Sequence, residues 1–417
     1  MPPASPSRVD PRLLVGVWLL LSAILSVQLF TGARPLYADA DDAMRMVVVR
    51  DLLAGQSWFD HVQHRLNAPH GAPIHWSRLV DLPIAGLVLA ARTVTPERAE
   101  AVAAVVWPLL QLLALLYLSA RLSLRLAGPG AVLPALVIPA FSVAVMAEFT
   151  PGRVDHHGVQ ILLALAIALC AVEAIDRPRF GWLAGLCAAT ALAVGTESLP
   201  VAAAAVAAFG AMWAVSPARG AATRAFALAF GGGTLGHLAL ALPPQGWLVP
   251  ACDGLSIVFA ASAAGCGLVL AGLTALPLAA TSPLVRLGAG ALAGAALVGV
   301  LLAAFPECRT GPYTALDPWL VRVWLDRVIE AKPIWTSLAD LPAYTAGAVL
   351  APLAGLVTVA VMVTRSEGAA RGRWAVFGLF LLFAVLVMVL QIRGARLAAA
   401  LATPAGALLV GAARRVY

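Results

Sequence analysis

Apolar runs long enough to cross a lipid bilayer recur along the whole 417-residue chain. A helix needs ~20 consecutive apolar residues to span the hydrocarbon core. Backbone groups in lipid must be satisfied internally, so only helices and closed barrels cross. The period-2 alternation of a barrel is absent. Charged residues are only 12% of the chain and mean hydropathy is +0.90, whereas a soluble domain carries about 25% charged residues. Soluble, disordered, collagenous and coiled-coil folds are therefore excluded. The fold class is an all-α polytopic membrane protein.

The runs lie near 13–33, 99–120, 128–148, 158–175, 181–197, 199–215, 225–242, 255–276, 287–305, 343–364, 374–391 and 397–413, which makes 12 expected spans. The first is too long for a signal-peptide core and reads as an uncleaved span. Residues 82–91 are too few to cross and fit an interfacial or re-entrant helix. Gly231-Gly-Gly233 lies inside a span and is expected to pack helices closely.

With 82–91 not crossing, short loops on the N-terminal side hold 14 arginines, from Arg8 and Arg12 to Arg414 and Arg415. Short loops on the other side hold three, Arg153, Arg393 and Arg396, and the remaining 11 basic residues sit in two long loops, 34–98 and 306–342. Short loops set orientation, so both termini are expected in the cytoplasm and both long loops in the periplasm of an inner membrane. No basic cluster tracks with aromatics, so nucleic acid is not an expected partner. Of the 21 acids, 17 face the outer side on this topology, and acids contribute little to orientation. Their clustering needs another cause, and a functional outer face supplies one.

Four features stand on that face. Asp39, Asp41 and Asp42 follow the first span, with Arg45 beyond them. Crowded carboxylates raise one another's pKa unless a cation compensates, and hard oxygen ligands suit Mg²⁺ or Mn²⁺; a solvated loop start with an Asp N-cap is the alternative. Gly152-Arg-Val-Asp155-His156-His157 precedes the fourth run. It is either a helix cap or a partial metal site of carboxylate and imidazole. The 306–342 loop contains Glu330, and long loops between spans tend to be functional. Arg393 and Arg396 stand at the outer start of the last run, where an arginine marks an anionic substrate or snorkels. Glu197, at an outer helix end, is either buried polar structure or part of a donor pocket.

This ordered set resembles the oligosaccharyltransferase catalytic subunit and the wider GT-C glycosyltransferase superfamily. Asp39-Ala-Asp-Asp-Ala-Met-Arg45 resembles that family's Asp-Pro-Trp-Phe-Asn-Tyr-Arg segment. Phe59-Asp, Asn67-Ala-Pro-His-Gly and His75-Trp resemble the stretch that follows it. Gly152-Arg-Val-Asp-His-His157 is similar to the archaeal second metal motif, and Arg327-Val-Ile-Glu330 to the motif of the fifth external loop. Arg396 sits near where the family has an arginine on the lipid-linked phosphate. The family's Trp-Trp-Asp motif is absent, and no soluble C-terminal domain is expected after the last span.

The resemblance implies a single GT-C-like domain over 1–417, a bundle of about 12 (11–13) helices with two long periplasmic loops. It implies transfer of a sugar or oligosaccharide from a polyprenyl-phosphate or -diphosphate donor to a saccharide, lipid or protein acceptor. Asp39, Asp155 and His157 would hold a divalent cation, Mg²⁺ or Mn²⁺, with His156 beside them. Arg396 and Arg393 would bind donor phosphate, Asp41 or Asp42 would act as general base, and Glu330 would close the site. Two other classes compete. A flippase of lipid-linked saccharide would not need these residues on one face, and its repeated halves are absent. A scaffold would leave the charges unexplained.

Five cysteines form no C-x-x-C or zinc spacing. Cys252 and Cys308 both fall in outer loops, where a disulfide can persist; two unrelated thiols are the alternative. Cys170, Cys187 and Cys266 lie in spans as small packing residues.

Overall fold

The computed structural model describes residues 8–37, 39–309, 311 and 316–414; Arg415 lies outside them. The chain is helical almost throughout. Helices α1 (Pro11–Phe30) and α2 (Ala40–Leu53) precede a hairpin of β1 (Val62–Gln63) and β2 (Ala72–Pro73), paired antiparallel. There follow α3 (Arg78–Arg92), α4 (Ala99–Ala127), α5 (Val132–Val137), α6 (Val143–Met146), α7 (His157–Ala174) and α8 (Phe180–Val194). Next come α9 (Leu199–Val215), α10 (Gly220–Ala241), α11 (Ile257–Ala275) and α12 (Pro283–Ala304). Short α13 (Pro318–Val323) and α14 (Ile334–Asp340) occupy the long loop before α15 (Pro342–Arg365), α16 (Gly368–Leu390) and α17 (Ala395–Ala413).

Among the described residues, nine helices are long and apolar enough to cross a bilayer. The number is ten if Pro129–Phe141 and Val143–Phe149, bent by 79°, are one span. Length and composition alone thus support nine or ten of the about 12 expected spans and leave the exact count unconfirmed. The difference lies in the runs at 181–197 and 225–242. Helix α8 has only 15 residues, and α10, with 22, carries Arg224, His237 and Gly231–Gly233. Both still run from one end of the bundle to the other and keep an exposed apolar face, with Trp182, Leu183 and Leu186 on α8 and Leu228, Leu235 and Leu240 on α10, so it is the short length of α8 and the composition of α10 that set them apart.

Small residues allow that packing, because apolar helices in lipid associate through close backbone contact. A Cβ at Gly185 would stand 2.6 Å from the Phe226 carbonyl oxygen of α10, and one at Gly267 would stand 2.6 Å from that of Ala227. A Cβ at Gly231 would stand 3.1 Å from Ala264 Cα and one at Gly233 2.9 Å from Ala189 Cβ, which meets the packing expectation, whereas one at Gly232 would face open space. The run at 82–91 lies in α3, 15 residues with Pro83 inside, and it is not among the helices long enough to cross. Its Val80, Ile84 and Val88 are buried on one face while Leu82 and Leu89 are exposed on another, an amphipathic arrangement suited to an interface.

The bundle has two charged ends. At one, Arg125, Arg177 and Arg373 pair with Glu173 and Asp176. At the other lie the starts of α2, α7 and α17 and the turn between α8 and α9. Cys252 and Cys308 form a disulfide with Cα atoms 5.4 Å apart. It ties the loop after α10 to the root of the 306–342 loop. Cys170, Cys187 and Cys266 are free thiols, Cys170 buried and the others half-buried.

Candidate active site

The turn before α7 is fixed by Gly152 and Asp42. Gly152 has φ +94°, and a Cβ there would lie 1.7 Å from the Leu36 carbonyl oxygen. Only glycine satisfies both the left-handed backbone and the close approach. Fully buried Asp42 accepts from the N–H groups of Val154 (2.9 Å) and Asp155 (3.1 Å) through Oδ1. Its Oδ2 accepts from Arg153 Nη1 at 3.0 Å. Burial pushes its pKa up to about 6, against the lowering pull of Arg153 and the two backbone donors. With both oxygens occupied, Asp42 is a strut for the turn. Asp41, its partner as a candidate base, is exposed. The Asp41 pKa is raised by partial burial and then by Asp155 and Asp39, so its carboxylate senses the same site.

Asp155, His156 and His157 form a cluster whose donor atoms lie within 4.8 Å of one another. His156 Nδ1 donates to Asp155 Oδ1 at 2.5 Å. His157 Nε2 is 3.4 Å from Asp155 Oδ2. Burial alone would lower the His156 pKa, but hydrogen bonds to Asp155 and Glu197 outweigh it and raise it to about 9. Burial would raise Asp155, but the His156 hydrogen bond and the charges of His156, His157 and Arg45 hold it well below the usual carboxylate range. A buried ionised carboxylate beside an imidazole is a donor set that suits a divalent transition metal ion. Asp39, expected among these ligands, instead caps α2 and pairs with Arg153 at 2.9 Å.

Arg45 is fully buried beneath the cluster. It donates to Asp81 Oδ1 at 2.9 Å, lies 3.4 Å from Asp155 Oδ1, and stacks 4.4 Å from the Trp76 ring centre. Asp81 also receives Arg78 Nη1 at 3.3 Å. The i,i+3 spacing of Arg78 and Asp81 at the head of an apolar run is the sequence signal that marks this pair. Glu197 accepts from Gln160 Nε2 at 3.0 Å and lies 3.8 Å from His156 Nε2, so the α8–α9 turn belongs to the site.

A row of alternating charges runs from this cluster to the long loop. Arg153 Nη2 meets Glu148 Oε2 at 2.9 Å, and Glu148 Oε1 meets Arg396 Nη1 at 3.2 Å. Arg396 Nη2 then meets Glu330 Oε2 at 2.7 Å. A backbone hydrogen bond from Ile392 N–H to the Lys332 carbonyl oxygen, 2.9 Å, pins the loop beside it. Sequence reasoning missed Glu148; an acid in the apolar run at 128–148 is the signal that finds it. A cavity of about 330 Å³ lined by Glu148, Glu330, Tyr344, Arg393 and Arg396 lies here. A second cavity of about 470 Å³, walled by Phe59, His61, Arg78, Leu240 and Val249, opens beside Gly195.

Neither a protein-family model nor a curated protein matches the sequence. Solved structures do. The Archaeoglobus fulgidus oligosaccharyltransferase AglB, in complex with an inhibitory peptide and a dolichol-phosphate, superposes with a TM-score of 0.67. Identity is 13%, over 97% of this chain and 50% of that one. The same organism's enzyme in complex with Zn and sulfate gives 0.64, at 12% identity, over 96% and 49%. The form tethered with an acceptor peptide containing the NVT sequon gives 0.60, at 12% identity, over 98% and 50%. The chain spans about half the length of these structures, and over nearly all of its own length it has the fold of an archaeal oligosaccharyltransferase.

Proposed function

We propose that the chain is a membrane glycosyltransferase that moves a sugar or oligosaccharide from a polyprenyl-phosphate or -diphosphate donor to an acceptor on the periplasmic side. One observation carries this reading. Within an oligosaccharyltransferase-like fold, the Asp155-His156-His157 cluster stands at the same end of the bundle as a charge row that runs from Asp42, which accepts from the Asp155 N–H, through Arg153 and Glu148 to Arg396.

In such a transfer the bond from the anomeric carbon to the phosphate oxygen breaks, and the phosphate leaves as an anion. Arg396 and Arg393 neutralise that anion in their cavity. Asp41 takes the proton of the acceptor hydroxyl as the new glycosidic bond forms. Asp155 and His157 would hold a divalent cation, Mg²⁺ or Mn²⁺, with Asp39 joining them once it leaves Arg153. When bound, it supplies further positive charge to the leaving group. His156, bridged between Asp155 and Glu197, holds the Asp155 carboxylate in orientation, as outer partners of metal ligands commonly do. Glu330 lies on the long loop and is half-exposed, so it can leave Arg396 when donor phosphate arrives.

The test is sugar transfer by the purified full chain in liposomes from a polyprenyl-phosphate sugar and a polyprenyl-diphosphate oligosaccharide. Release of free polyprenyl phosphate or diphosphate in step with glycosylated product supports the reading. Movement of intact donor across the bilayer without cleavage would identify a flippase instead. A sequon peptide as acceptor tests the narrower reading, transfer to protein, which the peptide-bound neighbours favour.

The orientation is separately testable. Reporter fusions after Arg125 are expected to read cytoplasm and those after Arg153 periplasm, in an inner membrane with both termini cytoplasmic. The reverse pattern would move the whole site to the cytoplasmic face and exclude a periplasmic acceptor.

A further inference from the structure

We propose that Gln160 is a positioning residue that dictates which nitrogen of His157 faces Asp155, and so makes that pair a ready seat for a divalent cation. This rests on the metal-dependent reading above and assigns the device that prepares its site.

The argument follows the protons. Gln160 stands one turn beyond His157 on α7 and is buried. Its amide nitrogen is 3.0 Å from Glu197 Oε2. An ionised carboxylate only accepts, so the amide's donor end must face Glu197. The amide oxygen, an acceptor only, is thereby turned to His157 Nδ1 at 3.2 Å. His157 therefore donates from Nδ1 to Gln160, and Nε2 is the nitrogen left to face Asp155 or a cation. That nitrogen faces Asp155 Oδ2 at 3.4 Å. The other Asp155 oxygen is taken by His156 at 2.5 Å. Nε2 of His157 and Oδ2 of Asp155 thus face each other across 3.4 Å, which presents both atoms to one cation.

A second observation supports the bridge independently. Gly195 has an extended backbone, φ −177°, so its need for glycine is one of space. A Cβ there would stand 2.5 Å from Gln160 Nε2 and 2.6 Å from Glu197 Oε2. Any side chain at 195 would push the amide and the carboxylate apart.

The experiment is Mn²⁺ titration of the purified full chain in nanodiscs, with free Mn²⁺ read by electron paramagnetic resonance. Gln160→Leu is expected to weaken Mn²⁺ binding about 10- to 100-fold, and Gly195→Ala to weaken it in the same direction. Gln160→Glu keeps an acceptor for Nδ1–H and is expected to bind more tightly than Gln160→Leu. At saturating Mn²⁺ the Gln160→Leu enzyme is expected to recover most of its turnover, because the ligands themselves remain. Elution of each variant as a monodisperse peak excludes misfolding; if Gln160→Leu does not fold, Gln160→Glu against Gly195→Ala gives the same comparison. A wild type that binds one Mn²⁺ while the variants bind equally well overturns this inference alone. A wild type that binds none overturns it together with the metal-dependent reading.

Discussion

Replacing Asp155 by Asn or His157 by Ala is expected to cut sugar transfer by about 10³-fold, the scale seen when a preorganised charge-stabilising group is removed. The two side chains face each other at 3.4 Å and are proposed to act through one ion. The double variant should then be no slower than the slower single variant, because residues that work as a unit lose their effect once. Stripping the metal with excess chelator should reproduce the loss in the wild type and add nothing to either variant. Transfer that persists in chelator, or losses that multiply in the double variant, would remove the metal from the mechanism. Monodisperse elution of the variants separates this outcome from unfolding. Removing Asp155 also strips Arg45 and His156 of a buried counter-charge, which costs stability, so Asp155→Asn is preferred to Asp155→Ala.

The second large effect is expected at Arg396. Arg396→Ala should weaken donor binding about 10- to 100-fold, the value of charge-assisted hydrogen bonds lost at a partly buried site. Arg396→Lys should recover only part, because a point charge cannot grip two partners as the planar fork does. In this structure that fork is filled by Glu148 and Glu330. Glu148 is nearly buried and also tied to Arg153, whereas Glu330 is half-exposed. On the proposed function, an arriving phosphate is expected to displace Glu330. Glu330→Gln should tighten donor binding, since the competing charge is gone, and slow turnover, since the loop loses the carboxylate it carries to the site. A donor affinity that is unchanged in Arg396→Ala would return this arginine to an interfacial, snorkelling role.

Much of this arrangement is legible in the amino-acid order. Apolar runs and few charges dictate the all-helical membrane fold, because lipid leaves a chain no other choice. The Asp-His-His sequence is visible because its three donors are consecutive, and Cys252 and Cys308 because both fall in outer loops. Interactions between distant segments are less visible. Nothing near Glu148 in the sequence announces Arg396, 248 positions later; their meeting depends on how α17 packs against the bent α5–α6 segment. Asp39 and Asp42 look alike in sequence, yet burial makes one a strut while the other pairs at the surface. The span count is less legible because α8 is only 15 residues long and α10 dilutes its apolar residues with Arg224, His237 and glycines.

The row of charges from Asp39 to Glu330 also bears on biogenesis. Its members come from the exit of α1, the break before α7, the loop after α12 and the first turn of α17. A nascent chain that has inserted every helix but α17 holds Glu148 and Glu330 without their shared arginine. Those two carboxylates then repel one another, and the loop has no anchor at Arg396. On the proposed function, such an intermediate lacks the arginine expected to hold donor phosphate. Completion of the last helix supplies the guanidinium that joins the two carboxylates, so the row of charges is expected to close only when α17 is in place.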